Sequence, residues 1–158
     1  MIAPTRDQLA AALGVQRWVD EVAAGSPYAD LPALLEAAAA AATPLSSEDI
    51  DEAMAHHPRI GERPVGDGAA QAFSRREQAS ADADDEEVNA AIAAGNAAYE
   101  ERFGRVFLIR AAGRTRAEIL GELRRRLELD DDAELVIVGE QLREIALLRL
   151  RTTFEAVA

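Results

Sequence analysis

The chain has 158 residues, a formal net charge of −12 and no cysteine. Its length suits one domain with a buried core, and the lack of cysteine excludes disulfides, thiolate nucleophiles and cysteine-ligated zinc or iron–sulfur sites. The negative charge argues against nucleic-acid binding, and no apolar run approaches the ~20 residues that span a bilayer. We therefore expect a single domain over residues 1–158. We place it in the cytoplasm because the N-terminus carries no signal-peptide pattern.

Helix-capping patterns divide the first part of the chain. Ser, Thr or Asp precedes several alanine-rich or amphipathic runs, and glycine or proline separates them. Four helices are predicted here: one opened by Thr5-x-x-Gln8 and ending near Gly14, one from Gln16 to Ala24, one from Asp30 to Ala42, and one opened by Ser46-x-x-Asp49 and ending near Ala55.

A long loop separates these helices from the rest. Residues 57–69 hold two prolines and three glycines, and loops of this length inside a compact domain usually serve function. A helix is predicted to begin near Ser74, and the acidic stretch at residues 82–87 interrupts or re-caps it. A longer helix then runs to Phe103, where Gly104 stops it.

The last part of the chain contains one extended run and two further helices. The run Val106–Ile109 continues to Gly113; the helices are opened by Thr115-x-x-Glu118 and by Asp130-Asp131-Asp132, and end near Leu127 and Phe154. Glu122 and Glu128 flank the run of arginines at 124–126, which we predict to lie on a solvent-exposed helix face. The fold class is therefore all-α, a compact bundle of about eight helices.

Both histidines of the protein, His56 and His57, lie at the start of the long loop. Histidine titrates near neutral pH, which suits general acid–base chemistry. Pro58 keeps His57 out of helical geometry and fixes the local path. A surface histidine without a role explains the same spacing, so the pattern alone leaves both interpretations open. His56 is interpreted as a helix-end residue without a catalytic role.

Glu77 also has two interpretations. Ser74-x-x-Glu77 fits a capping box, in which the glutamate binds the backbone amide of Ser74. A carboxylate held at a helix N-terminus can equally accept hydrogen bonds from substrate N–H groups, with Gln78 beside it as donor and acceptor. The two roles are compatible.

Metal and phosphate sites are not predicted. Two adjacent loop histidines lack the geometry of a helical metal-binding pair, and the loop glycines follow no strand and match no nucleotide-binding motif. Asn96, Tyr99 and Phe103 share one helical stripe that is typical of packing. Arg149 lies among leucines, where it either extends its guanidinium to water or pairs with an anion.

Several motifs follow one another along the chain: Arg17-Trp18-Val19, His57-Pro58-Arg59-Ile60-Gly61-Glu62, Ser74-x-x-Glu77-Gln78-Ala79, Asn96-x-x-Tyr99-x-x-Arg102-Phe103-Gly104, Phe107-Leu108-Ile109-x-Ala111-x-Gly113-Arg114, Glu140-x-x-x-Glu144-Ile145 and Arg149-Leu150. In this order, the motifs together resemble the family of 2-oxo-4-hydroxy-4-carboxy-5-ureidoimidazoline (OHCU) decarboxylases of uric acid degradation.

The resemblance implies a helical, usually homodimeric enzyme that needs no cofactor and decarboxylates OHCU to (S)-allantoin. It assigns His57 as the catalytic residue and Glu77 as its partner, with no metal. The residues that it places at the substrate are Pro58, Ser74, Arg75, Arg76, Gln78, Ile109, Arg110, Ala111, Ala112, Gly113 and Arg149. Arg151 is the alternative to Arg149. Two other functions stay open: a non-catalytic helical adaptor, and a decarboxylase of a related ureido or hydantoin acid.

Overall fold

A computed structural model describes residues 1–55, 73 and 76–155 of the chain. Seven helices lie in these residues, and Phe73, Arg76 and Glu77 are also helical. The seven are α1 (Arg6–Ala12), α2 (Gln16–Ala24), α3 (Leu31–Ala41), α4 (Ser47–Met54), α5 (Glu86–Phe103), α6 (Arg116–Arg126) and α7 (Asp131–Phe154). The all-α prediction is confirmed, and the observed number of helices is close to the expected eight.

The predicted capping boxes form at three helix starts. The side chains of Thr5, Ser46 and Thr115 each accept a hydrogen bond from the backbone three residues on, and the side chain at that position binds back to the cap. Each pair satisfies two backbone donors that the first helical turn leaves unpaired. Gly104 ends α5 in the left-handed conformation with φ 73°, which glycine adopts without steric cost.

The chain divides into two compact units, Met1–His56 with Gly139–Ala158, and His57–Val138. The expectation of one domain over residues 1–158 stays a prediction. In the first unit, Trp18 is fully buried and its indole N–H donates to the carbonyl of Ala38 at 3.0 Å. Arg17 beside it pairs with Asp49 at 2.8 Å and donates to the carbonyl of Ala41. One side chain thereby ties α2 to the end of α3 and the start of α4.

In the second unit, α5 packs against α6 around one apolar cluster. Its buried members are Ile92, Tyr99, Phe107, Ile109, Ala111, Ile119, Leu120 and Leu123. The predicted extended run therefore contributes core side chains, but it forms no strand in the described part of the chain. The Ile2–Tyr28 pair is the single β-bridge among the described residues. No described helix is long and apolar enough to cross a membrane.

The prediction of a solvent-exposed arginine run at 124–126 is wrong for its last member. Arg124 and Arg125 are exposed, whereas Arg126 is fully buried and forms an ion pair with the equally buried Glu134. The charge pattern around the run could not reveal this, because the partner belongs to the next helix. Arg126 is thus part of the core of this unit.

Candidate active site

Several predicted site residues lie outside the described part of the structure. These are His57, Pro58, Ser74 and Arg75, together with the neighbouring His56. The catalytic assignment of His57 and the capping box between Ser74 and Glu77 therefore stay predictions. The remaining site residues can be placed individually.

Glu77 is helical, Gln78 follows it in a turn, and both are half-buried. Arg76 before them is exposed, and its guanidinium lies 4.9 Å above the centre of the Phe73 ring. Both Glu77 and Gln78 make further polar contacts within the protein. A half-buried carboxylate and carboxamide at one segment end can present acceptors and donors to a small polar ligand.

Asp82 fastens this segment to α6. Its carboxylate accepts hydrogen bonds from the backbone N–H groups of Arg116 at 2.7 Å and Ala117 at 3.1 Å, and from the Ser80 hydroxyl at 2.9 Å. The N–H of Arg116 holds the pKa of the Asp82 carboxyl below its usual value, with the Ala117 and Ser80 contacts adding to the effect. A carboxylate suits the positive end of a helix. Sequence reasoning identified an acidic stretch here but not this contact.

The predicted substrate-contacting run at 109–113 lies directly before α6. Ile109 and Ala111 are buried with their side chains in the core, so only their backbone groups are candidates for ligand contact. The Arg110 guanidinium donates to the carbonyl of Ala112 at 2.6 Å. Gly113 is exposed and adopts φ 78°, a conformation that would strain any residue with a Cβ.

The start of α6 contacts the segment that carries Gln78 and Asp82. Arg116 donates from its guanidinium to the backbone carbonyl of Gln78 at 3.2 Å, while Asp82 caps the same helix. The backbone of Arg114 in turn donates to the carbonyl of Ala111 at 3.1 Å. Gln78 is thus linked through Arg116 to the helix that follows the 109–113 run, and the grouping of these residues at one site stays a prediction. The contact of Arg116 with Gln78 could not be predicted from the sequence, in which Arg116 is only the residue that follows the helix cap Thr115.

Behind this region, a buried polar network joins α5, α6 and α7. Arg126 forms the ion pair with Glu134 and donates to the carbonyl of Leu108 at 2.6 Å, and its guanidinium lies 4.7 Å from the centre of the Phe107 ring. The Tyr99 hydroxyl donates to Glu134 at 2.6 Å. Burial raises the pKa of the Tyr99 phenol well above its usual value, so the hydroxyl remains a donor. The stripe from Asn96 to Phe103 therefore serves packing, as one interpretation of its spacing predicted.

Arg149 belongs to the first unit. Its side chain is 4% exposed, and the guanidinium donates to the carbonyl of Ala11 at 3.0 Å. The alternative in which it extends to water is therefore wrong. Arg151, two residues on, is exposed. The described residues contain no group of His, Asp and Glu side chains that could hold a metal ion.

Comparison with known proteins places these segments in a family. A sequence model described as OHCU decarboxylase matches residues 3–151. The chain belongs to the OHCU decarboxylase family. The predicted resemblance is therefore confirmed, and the match includes the described segments at 76–82 and 109–117.

Two curated proteins match part of this chain in sequence. A bifunctional uric acid degradation protein of Arabidopsis thaliana is 34% identical over 107 residues, 65% of this chain and 33% of that protein. The OHCU decarboxylase of Mus musculus is 35% identical over 99 residues, 60% of this chain and 54% of its own. The chain thus matches only a third to about half of the length of these relatives.

Solved structures extend the similarity over nearly the whole fold. A crystal structure of an OHCU decarboxylase in the presence of (S)-allantoin matches with a TM-score of 0.76 and 25% identity, covering 94% of this chain and 98% of that one. An (S)-allantoin synthase matches with a TM-score of 0.60 and 19% identity, covering 93% of this chain and 48% of that one. The second match supports the fold alone.

Proposed function

We propose that this protein decarboxylates OHCU to (S)-allantoin in uric acid degradation. The observation that carries the proposal is the family match over residues 3–151. It is supported by the similarity to an OHCU decarboxylase crystallised with (S)-allantoin. It is further supported by the contact of Gln78 with the start of α6, directly after the 109–113 run.

The substrate can accept the electrons released by its own decarboxylation. Its C4 carries a hydroxyl and the departing carboxylate, and the neighbouring C5–N system is unsaturated. When the C4–carboxylate bond breaks, CO2 leaves, the electron pair forms a C4=C5 double bond, and the C5=N π pair moves onto the ring nitrogen, which takes up a proton. The resulting enol carries its hydroxyl on C4, and this hydroxyl loses its proton to form the C4 carbonyl when C5 is protonated. A proton delivered to one face of the carbon that bears the ureido group then yields one enantiomer of allantoin. The ring thus serves as the electron sink that a cofactor supplies in many other decarboxylases.

The protein has to orient the ring, bind its anionic group and deliver one proton. We assign the proton transfer to His57 as general acid–base, because imidazole exchanges protons near neutral pH. Glu77 and Gln78 accept hydrogen bonds from the ureido and ring N–H groups. Arg149 is assigned to substrate binding in preference to Arg151, since Arg149 is the buried one of the pair.

The test uses OHCU generated freshly from urate with urate oxidase and hydroxyisourate hydrolase. The wild-type protein is expected to increase the rate of OHCU loss above the spontaneous rate, whereas His57→Ala and Glu77→Gln lose most of that increase. Glu101→Gln, an exposed residue of α5, is the matched control and is expected to retain wild-type activity. A wild-type protein that leaves the spontaneous rate unchanged contradicts the proposal.

We further propose that the protein forms a homodimer, as the family resemblance implies, and that it acts in the cytoplasm. Light scattering coupled to size-exclusion chromatography tests the first part. A mass of about twice the 16.9 kDa chain is expected. A mass equal to that of one chain contradicts it.

A further inference from the structure

Arg116 has a buried guanidinium that is only partly satisfied. The residue is 7% exposed, and its guanidinium makes one hydrogen bond, from Nη2 to the carbonyl of Gln78 at 3.2 Å. Nε and Nη1 are buried and have no acceptor among the described residues. A guanidinium carries five N–H donors and remains charged in proteins. Two of its three nitrogens therefore have unused hydrogen-bonding capacity.

The position of this cation is electrostatically unfavourable. Arg116 is the first residue of α6, where the helix dipole disfavours positive charge. The carboxylate of Asp82 lies close, but it binds the backbone N–H groups of Arg116 and Ala117. Arg116 takes part in no ion pair within the described part of the chain. A buried guanidinium without an ion-pair partner is destabilising, so the site favours an anion.

We propose that Arg116 binds the carboxylate of the substrate next to Gln78. This inference rests on the proposed function and extends it. OHCU carries a carboxylate that (S)-allantoin lacks, so a cation here distinguishes substrate from product. The unpartnered nitrogens donate charge-assisted hydrogen bonds to the carboxylate oxygens. Arg116 is then a substrate-binding residue in addition to the residues that the family resemblance assigns.

A contact to the carboxylate has a characteristic kinetic effect. The carboxylate loses its charge as CO2 forms, so a cation bound to it stabilises the ground state at least as much as the transition state. Loss of the carboxylate contact is therefore expected to raise KM much more than it lowers kcat. Arg116 also donates to the carbonyl of Gln78. If it only held the Glu77–Gln78 segment in place, its loss would lower kcat instead, without a selective loss of affinity for the carboxylate.

The experiment compares Arg116→Gln, Arg116→Lys and the control Arg124→Gln, which removes an exposed arginine from the same helix. Thermal melting checks that each variant folds. For Arg116→Gln we expect KM for OHCU to rise about tenfold or more, because the variant loses one hydrogen bond to a charged group. For the same variant, the inhibition constant of (S)-allantoin should stay within about twofold of the wild-type value, because small packing changes have effects of that size. Arg116→Lys keeps the charge and recovers part of the affinity, whereas Arg124→Gln behaves as wild type.

Two results would overturn the proposal while the proposed function stands. One is an unchanged KM in Arg116→Gln. The other is an equal loss of affinity for OHCU and (S)-allantoin, which would indicate a purely structural role.

If the wild-type protein does not decarboxylate OHCU, the proposed function fails. A binding measurement then tests separately whether Arg116 binds an anion. Calorimetric titration then compares orotate with uracil, two rings that differ by a carboxylate. Weaker orotate binding in Arg116→Gln, with uracil unchanged, supports the anion site. Equal orotate affinity in the wild type and in Arg116→Gln contradicts the anion site.

Discussion

The carboxylate of Asp82 lies 2.7 Å from the backbone nitrogen of Arg116 and caps the N-terminus of α6. Four residues before Asp82, the carbonyl of Gln78 accepts a hydrogen bond from the Arg116 side chain. The segment that carries Glu77 and Gln78 is thus attached at two points to one helix start. One of these attachments joins residues that are 34 positions apart.

Replacing Asp82 is expected to reduce activity without touching the assigned catalytic residues. Asp82→Ala removes the cap and releases the Glu77–Gln78 segment, and misplacement of a catalytic group lowers kcat by roughly tenfold or more. Asp84→Ala removes a nearby exposed carboxylate and serves as the control. Steady-state kinetics on fresh OHCU measure both variants. Equal kcat values in the two would show that the attachment has no role in catalysis.

The stability of the protein is expected to depend on pH through the same carboxyl. The pKa of Asp82 is lowered in the folded state by the backbone N–H of Arg116, below the ordinary value of 3.8. Its contribution to stability is therefore fully present above pH 3.8 and is lost as the pH falls through the lower folded pKa. Denaturant unfolding of wild type and Asp82→Ala should show a constant difference from pH 7 to about pH 5 that shrinks below about pH 4. A difference independent of pH down to pH 3 would contradict this account.

The buried network of Arg126, Glu134 and Tyr99 is expected to be a large contributor to folding. Arg126→Met leaves Glu134 as an unpaired buried charge, which costs about 3–5 kcal/mol in the free energy of unfolding. Tyr99→Phe removes one hydrogen bond to a charged group and costs about 1–3 kcal/mol. Urea unfolding measures both variants, and the exposed Arg125→Met is the control.

The double variant Arg126→Met/Glu134→Leu tests whether the loss of stability in Arg126→Met comes from the unpaired charge of Glu134. Removing both charges avoids the unpaired ion, so the double variant is expected to be more stable than Arg126→Met alone. If the double variant is less stable than the wild type by the sum of the losses measured for Arg126→Met and Glu134→Leu alone, the two residues act independently. That result would contradict the network.

Two helical glycines are expected to respond in opposite directions to alanine. A Cβ on Gly95 would lie 2.5 Å from Cδ2 of Leu123, a fully buried side chain, whereas a Cβ on Gly121 would have no heavy atom within 4 Å. Gly121→Ala should therefore stabilise the protein by about 0.5–1 kcal/mol through helix propensity. Gly95→Ala should destabilise it by about 1–2 kcal/mol, because overpacking outweighs that gain. Urea unfolding measures both; a stabilised Gly95→Ala would show that α5 and α6 are less closely packed than described.

Local interactions explain why most helix boundaries could be predicted from the sequence. The caps at Thr5, Ser46 and Thr115 involve residues three positions apart, so the pattern and the contact are the same. The left-handed stop at Gly104 is also a property of one residue. Such features need no knowledge of the tertiary structure.

Contacts between distant segments explain what the sequence did not reveal. Arg126 is buried because Glu134 on the next helix neutralises it, although its neighbours suggest a solvated face. The cap that Asp82 provides belongs to a helix 34 residues on, and the buried side chain of Arg116 follows from the same packing. The functional assignments of His57 and Glu77 came from family resemblance, since the local spacing of each also fits a role without chemistry.

The most direct test of the central claim is the handedness of the product. OHCU also decays spontaneously to racemic allantoin, so circular dichroism separates catalysis at one face of the ring from simple acceleration. With the wild-type protein we predict a clear excess of (S)-allantoin, which disappears in His57→Ala while that variant melts as a folded protein. Racemic allantoin from the wild-type protein, or an undiminished (S) excess from His57→Ala, would contradict the account.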